Sequence, residues 1–170
     1  MSKIVLLDTS YFLELFLVPM DSVQAKHEEA VALFDQAIDG SYHLYCTLGV
    51  LYEVANHIVD IKNAETQNRI AMAYKEMVVL SWNTNSPFTI VPSSNSSEVL
   101  AQFSSLPELC QKYSESLRQR LSLVDCTIAE VAEKIQANYL SRSRRWPAHI
   151  WTTHGELKAL EPDRFENPYF

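Results

Sequence analysis

The chain opens on an apolar run that ends in an acid, Ile4-Val5-Leu6-Leu7-Asp8, followed at once by Thr9-Ser10. Four large aliphatic residues without polar alternation predict a strand buried on both faces, as in a parallel sheet covered by helices. A carboxylate at the exit of such a strand is costly to desolvate unless something uses it. Two more acids lie in apolar surroundings: Glu53 within Leu48-Gly49-Val50-Leu51-Tyr52-Glu53-Val54-Ala55, and Asp125 within Leu121-Ser122-Leu123-Val124-Asp125-Cys126-Thr127-Ile128-Ala129. Three acids embedded in apolar segments far apart in sequence point to one shared cation site. Each also has a plainer role. Asp8 and Asp125 can cap the helices that follow them, and Glu53 can lie solvated on a helix edge.

The remaining periodicity alternates strand with helix. A strand over Lys3–Asp8 leads to a helix from Tyr11 to Val18, capped by Thr9 or Ser10 and stopped by Pro19. A second helix opens at Asp21-Ser22, turns Val23, His27, Ala30, Val31, Phe34 and Ile38 inward, and closes at Gly40. Tyr42–Cys46 reads as a strand, and Thr47 caps a helix with Leu48, Leu51, Tyr52, Ala55, Ile58 and Val59 on one face. A helix over Ala64–Trp82, a strand over Phe88–Val91 and a helical stretch over Glu98–Arg120, broken before Pro107, come next. The last part reads as a helix over Leu123–Leu140, a basic loop over Ser141–Pro147, a strand over Ala148–Thr152 and a short helix over Glu156–Leu160. Neither repeat nor linker divides the 170 residues, so 1–170 is read as a single domain. Crossover helices between strands imply a three-layer α/β/α fold around a parallel sheet, with the functional crevice beyond the carboxyl ends of the strands. Asp8 falls there.

Composition narrows the chemistry. With 3 isolated glycines, an all-β sandwich, a Walker loop and a dinucleotide fingerprint are all disfavoured. A net charge of −7 gives no general pull toward nucleic acid, although carboxylates loaded with divalent cations reverse the local sign. Cys46, Cys110 and Cys126 are odd in number and show no redox or ligand spacing, which suggests buried thiols in a reducing, cytoplasmic compartment. Asp8 and Glu14 interrupt the apolar N-terminus and no small-residue cleavage site follows, so neither a secretory leader nor a membrane partner is expected. No Gly-x-Ser-x-Gly elbow is present. A phosphatase of the haloacid dehalogenase type would need a second aspartate where Ser10 stands. His27, His43, His57 and His149 show no ligand spacing.

If Asp8, Glu53 and Asp125 converge, their like charges and their burial both resist ionisation, and a bound Mg²⁺ or Mn²⁺ relieves both. Such ions serve in-line attack on phosphorus. Arg142, Arg144 and Arg145, with the indole of Trp146 beside them, are the candidate RNA-binding stretch. The plainer reading of that stretch is a solvated loop with Trp146 packed on the sheet.

The order of these segments resembles the PIN-domain family. The matching residues are Lys3-Ile4-Val5-Leu6-Leu7-Asp8-Thr9-Ser10, Tyr52-Glu53-Val54-Ala55-Asn56, Leu121-Ser122-Leu123-Val124-Asp125-Cys126, and Ile150-Trp151-Thr152-Thr153-His154-Gly155-Glu156-Leu157. The resemblance runs from Lys3 to about Leu157. It implies a parallel sheet of four or five strands between helices and a metal-dependent ribonuclease acting on single strands, with Asp8, Glu53 and Asp125 as catalytic and metal-binding acids. Many small bacterial members look like the toxin half of a toxin–antitoxin pair, VapC-like. That implies an RNA substrate, an antitoxin protein as partner and a homodimer. The last segment departs from the family pattern, with His154 where an aspartate is usual and Glu156 two residues further on. His154 and Thr152 are therefore auxiliary candidates, His154 as a ligand suited to a softer ion such as Mn²⁺. The alternative reading is a catalytically weakened PIN-like domain that binds RNA or protein.

Overall fold

The computed structural model describes residues 2–40, 42–92, 96–140, 146–167 and 170. Within them the chain runs β1 (Ile4–Leu7), α1 (Thr9–Leu15), α2 (Gln24–Asp39), β2 (His43–Thr47), α3 (Leu48–Val59), α4 (Ala64–Thr84), β3 (Thr89–Val91), α5 (Ser96–Glu115), α6 (Leu123–Leu140), β4 (Ala148–Trp151) and α7 (Gly155–Lys158), with a 3-10 turn at Leu117–Gln119. The four strands form one all-parallel sheet in the order β3-β2-β1-β4. Leu7 sits opposite Cys46 on one side and Trp151 on the other, so β1 is an inner strand, with β2 and β4 as its neighbours. Ile4, Val5, Leu6 and Leu7 are wholly buried, as an apolar run without alternation requires. Helices α1 to α4 pack among themselves and against β2 and β3, while α6 lies on β1 and β4 and carries α5 with it. This is an α/β fold with the layering of a three-layer α/β/α sandwich.

Several boundaries differ from those read in the sequence. The cap of α1 is Asp8 rather than Thr9 or Ser10; its carboxylate accepts from the Ser10 N–H, so the helix begins at Thr9. The same helix stops at Leu15 instead of Val18. Leu17 N–H bonds the Glu14 carbonyl and Val18 N–H bonds the Leu13 carbonyl, a paired C-terminal closure that puts Leu17 at a φ of 50°. In α2 it is Ala37 that is buried, whereas Ile38 is 55 % exposed. Gly40 closes that helix at an ordinary negative φ; a Cβ there would stand 2.7 Å from the Gln36 carbonyl oxygen, so close approach is what demands glycine. The inward face of α3 is Val50, Leu51, Val54 and Ile58, which rotates Tyr52 and Val59 into solvent. Helix α5 runs through Pro107 unbroken, with Ser105 and Leu109 buried on either side of it. Cys46 and Cys126 are buried thiols, but Cys110 faces solvent one residue beyond the inward Leu109. Among the described residues no helix is long and apolar enough to cross a membrane.

Candidate functional site

From β1 the chain crosses to β2 and then β3, and afterwards returns to the other side of β1 for β4. A reversal of that kind opens a crevice at the carboxyl ends of the two strands between which it occurs, here β1 and β4. Asp8 leaves β1 into this crevice and Thr152 leaves β4 beside it. The ladder extends to their junction, where Asp8 N–H bonds the Trp151 carbonyl at 3.1 Å.

Hydroxyls organise the first acid. Asp8 Oδ2 accepts from Ser10 Oγ at 2.6 Å, from Thr152 Oγ1 at 2.8 Å and from the Ser10 N–H at 3.3 Å. The backbone of the β4 exit is tied to the same pair of hydroxyls: Thr153 N–H donates to Ser10 Oγ and His154 N–H to Thr152 Oγ1, each at 2.9 Å. With Asp8 only 4 % exposed, burial raises its pKa; the Ser10 and Thr152 hydroxyls pull it down in part, and the Asp125 charge pushes it up again.

Glu53 reaches the site from the second turn of α3, where its Oε2 accepts from Thr9 Oγ1 at 2.7 Å. Its pKa is also raised, by burial first and then by the charges of Asp8 and Asp125, against the Thr9 hydrogen bond and the attraction of His57. Asp125 lies in the first turn of α6. It forms a reciprocal cap with Ser122: Asp125 Oδ2 accepts from Ser122 N–H at 2.6 Å, and Asp125 N–H donates to Ser122 Oγ at 3.1 Å. Asp125 is therefore the third helical residue rather than a single-residue N-cap. The start of α6 can approach α3 because residue 49 is glycine; a Cβ there would meet Val124 Cγ2 at 3.1 Å.

The three acids predicted from the sequence thus lie within electrostatic reach of one another, each contributed by a different segment. Thr152 is 2 % exposed and bonded to Asp8, and His154 Nδ1 stands 4.0 Å from Asp125 Oδ2 on the half-exposed rim. Glu156, in the first turn of α7, is exposed. Arg142, Arg144 and Arg145 lie outside the described residues. The neighbouring Trp146 indole stacks on His43, with ring centroids 4.6 Å apart, and packs against the core. Sequence reasoning did not assign Thr9, Ser10 or Ser122 a place at the acids. The signals were present: two hydroxyl residues directly after Asp8, and the Ser-x-x-Asp spacing of Ser122 and Asp125.

Carboxylate oxygens suit Mg²⁺ or Mn²⁺, and the burial that raises Asp8 and Glu53, with the like charges beside them, is a cost that a dication offsets. Among the described residues no lysine or arginine forms an ion pair with any of the three. Nor do three His, Cys, Asp or Glu side chains already stand as a ligand set for one ion. Three carboxylates are the oxygen-donor type that a hard divalent cation takes. Comparison with family models, with curated proteins and with solved structures gives no match.

Proposed function

We propose that this chain is a PIN-like endoribonuclease that hydrolyses phosphodiester bonds of RNA with Mg²⁺ or Mn²⁺, and that it serves as the toxin of a toxin–antitoxin pair. One observation carries the reading: Asp8, Glu53 and Asp125 come within electrostatic reach of one another at the switch point of a parallel sheet, and no lysine or arginine among the described residues pairs with them. A bound divalent ion would supply Lewis-acid stabilisation of a phosphoryl oxygen and a nucleophilic water at neutral pH.

The chain's own groups have separate tasks in this reading. Asp8, Glu53 and Asp125 hold the cation. Ser10 and Thr152 fix the Asp8 carboxylate from two sides, Thr9 fixes Glu53, and the Ser122 N–H fixes Asp125. Ordered donors of this kind keep ligating oxygens aimed and raise cation affinity. His154, on the rim beside Asp125, offers a ring nitrogen, a donor type that favours Mn²⁺ over Mg²⁺. The surface carries net charge −7, so RNA would be held through the cation and local donors rather than by a general basic field. The test is cleavage of a single-stranded RNA pool with Mn²⁺, with Mg²⁺ and with chelator. Ion-dependent internal cleavage that Asp8→Asn abolishes supports the reading; cleavage indifferent to chelator or to Asp8→Asn overturns it.

The hydroxyl-bonded positions of the acids favour a second reading, a weakened PIN-like module that binds RNA or protein without cutting. Under it, the chain binds RNA with the same affinity in Mn²⁺ and in chelator, and no cleavage appears.

A further inference from the structure

The chain beyond α7 passes along the outer side of β4 and reaches α1 and α2. Ala148 N–H donates to Asp163 Oδ2 and Ile150 N–H to Glu161 Oε2, each at 3.1 Å, so two carboxylates close the edge of the sheet. Farther on, Asn167 Nδ2 donates to the Glu29 carboxylate on α2. The next residue of that helix, Ala30, accepts from the Tyr11 hydroxyl of α1 at 2.7 Å. Phe165 and Phe170 supply the apolar part of this cover, and both are buried.

Their rings meet one aromatic pair. Phe170 stands edge-on to Tyr11 with ring centroids 5.2 Å apart, and Phe165 packs on Trp151 at 5.6 Å. The centroids of Tyr11 and Trp151 are themselves 5.0 Å apart. Aromatic contacts of this kind have preferred geometries and so set orientation as well as burying area. Trp151 depends on them: its indole is wholly buried, and Nε1 has no hydrogen-bond partner among the described residues. The chain neighbours of this pair are the hydroxyls of the candidate site. Ser10 precedes Tyr11 and Thr152 follows Trp151. Both hydroxyls donate to Asp8 Oδ2, and they lie 3.3 Å from each other. The Trp151 carbonyl accepts from Asp8 N–H as well.

We propose that Phe165 and Phe170 are positioning residues for the candidate cation site: they brace Tyr11 and Trp151, and so keep the Ser10 and Thr152 hydroxyls on Asp8. Hydrogen bonds weaken as they lengthen and bend, so small displacements of the braced pair reach the carboxylate. Donors around a ligating carboxylate keep its oxygens aimed at an ion. The effect on the ion rests on the cation site proposed above; the effect on the hydroxyls does not.

The test uses Phe170→Ala and Phe170→Leu in the full chain, read by amide hydrogen exchange without metal and by calorimetric titration with Mn²⁺. In Phe170→Ala the Asp8 and His154 amides should exchange about tenfold faster, while Leu44 on β2 and Ile90 on β3 keep their protection. Mn²⁺ should bind that variant about tenfold more weakly. Phe170→Leu keeps most of the apolar bulk and should bring both readouts back to within about twofold of the parent. Unchanged Asp8 and His154 amides overturn the proposal. An equal loss at Leu44 and Ile90 also overturns it, because Phe170 is then a plain core residue. Opened amides with unaltered Mn²⁺ affinity overturn the positioning of the ion. A parent that binds no Mn²⁺ overturns the cation site instead, and the exchange comparison still decides whether the rings hold the hydroxyls. If Phe170→Ala yields no folded protein, Asn167→Ala decides: it releases the bond to Glu29 without opening a core cavity, and it must still speed Asp8 ahead of Leu44.

Discussion

Glu130 on α6 and Asp8 at the exit of β1 are both buried acids, 8 % and 4 % exposed, yet their charges are treated in opposite ways. Glu130 is held by Lys112 at 3.2 Å and by Lys134 one helical turn away, and these lysines pull its pKa below the ordinary carboxylate value in spite of burial. Asp8 receives only hydroxyls and a backbone N–H and stands near two further acids, and burial leaves its pKa raised. The tail repeats the first pattern, with Glu161 paired to Lys158. The fold therefore pairs acids that join helices or close an edge with lysines, and gives the three at the crevice no lysine or arginine among the described residues. Uncompensated negative charge costs stability, and it persists in evolution's products mainly where function uses it.

The largest effect that would break the comparison is chemical. Replacing Asp8 or Asp125 with Asn should lower metal-dependent RNA cleavage by about a hundredfold or more, since several kcal/mol of ion-borne stabilisation is lost. Glu130→Gln should leave the cleavage rate within about twofold. Equal losses in both variants would show that the two regions do not differ in function.

A second contrast lies in stability against pH without added metal. Asp8 and Glu53 bind protons more tightly in the folded chain than in the unfolded one. Their contribution is present below the unfolded carboxylate pKa and is lost as pH rises through the folded values. Glu130 has the opposite sign: its contribution is present above the unfolded pKa and is lost as pH falls through the lowered folded value. Urea unfolding over roughly pH 3 to 8 should show Asp8→Asn flattening the loss on the neutral side, and Glu130→Gln flattening the loss on the acid side. At pH 7 Asp8→Asn should be no less stable than the parent, because Asn keeps the capping oxygen. Glu130→Gln should cost about 1 kcal/mol, the value of charged hydrogen bonds discounted for two half-exposed lysines.

Smaller changes sharpen the account of how the acids are held. Thr152→Val removes one donor to Asp8 and should cost about 1 kcal/mol of stability while weakening Mn²⁺ binding more than it weakens the fold. Gly49→Ala places a methyl 3.1 Å from Val124 Cγ2 and should shift α6 by a few tenths of an ångström. A modest fall in cation affinity with little change in Tm is the expected outcome, measured by calorimetry and thermal melting.

Much of this comparison was legible in the sequence. An unalternating apolar run dictated a doubly buried strand, and its terminal acid had nowhere to go except the carboxyl edge of the sheet. Strand–helix alternation dictated the parallel topology. Side-chain facing was less legible. The 3.6-residue period of α3 fits two faces almost equally well, and only packing against β2 and α1 selects Val50 and Val54 over Tyr52 and Val59. Ala37 displaces Ile38 from the core of α2 for the same reason. Of the compensation of Glu130, only Lys134 at i+4 was legible; Lys112 reaches it by tertiary contact, and Lys158 meets Glu161 through a turn that periodicity does not encode.

The most direct measurement is a Mn²⁺ titration of thermal stability in the parent and in Asp8→Asn, with Mg²⁺ in parallel. A cation held only by the folded crevice stabilises by about 2.7 kcal/mol at a hundred times its Kd. The account predicts a melting midpoint that climbs with Mn²⁺ in the parent and stays flat in Asp8→Asn. No climb up to millimolar Mn²⁺, or an equal climb in both proteins, would contradict it.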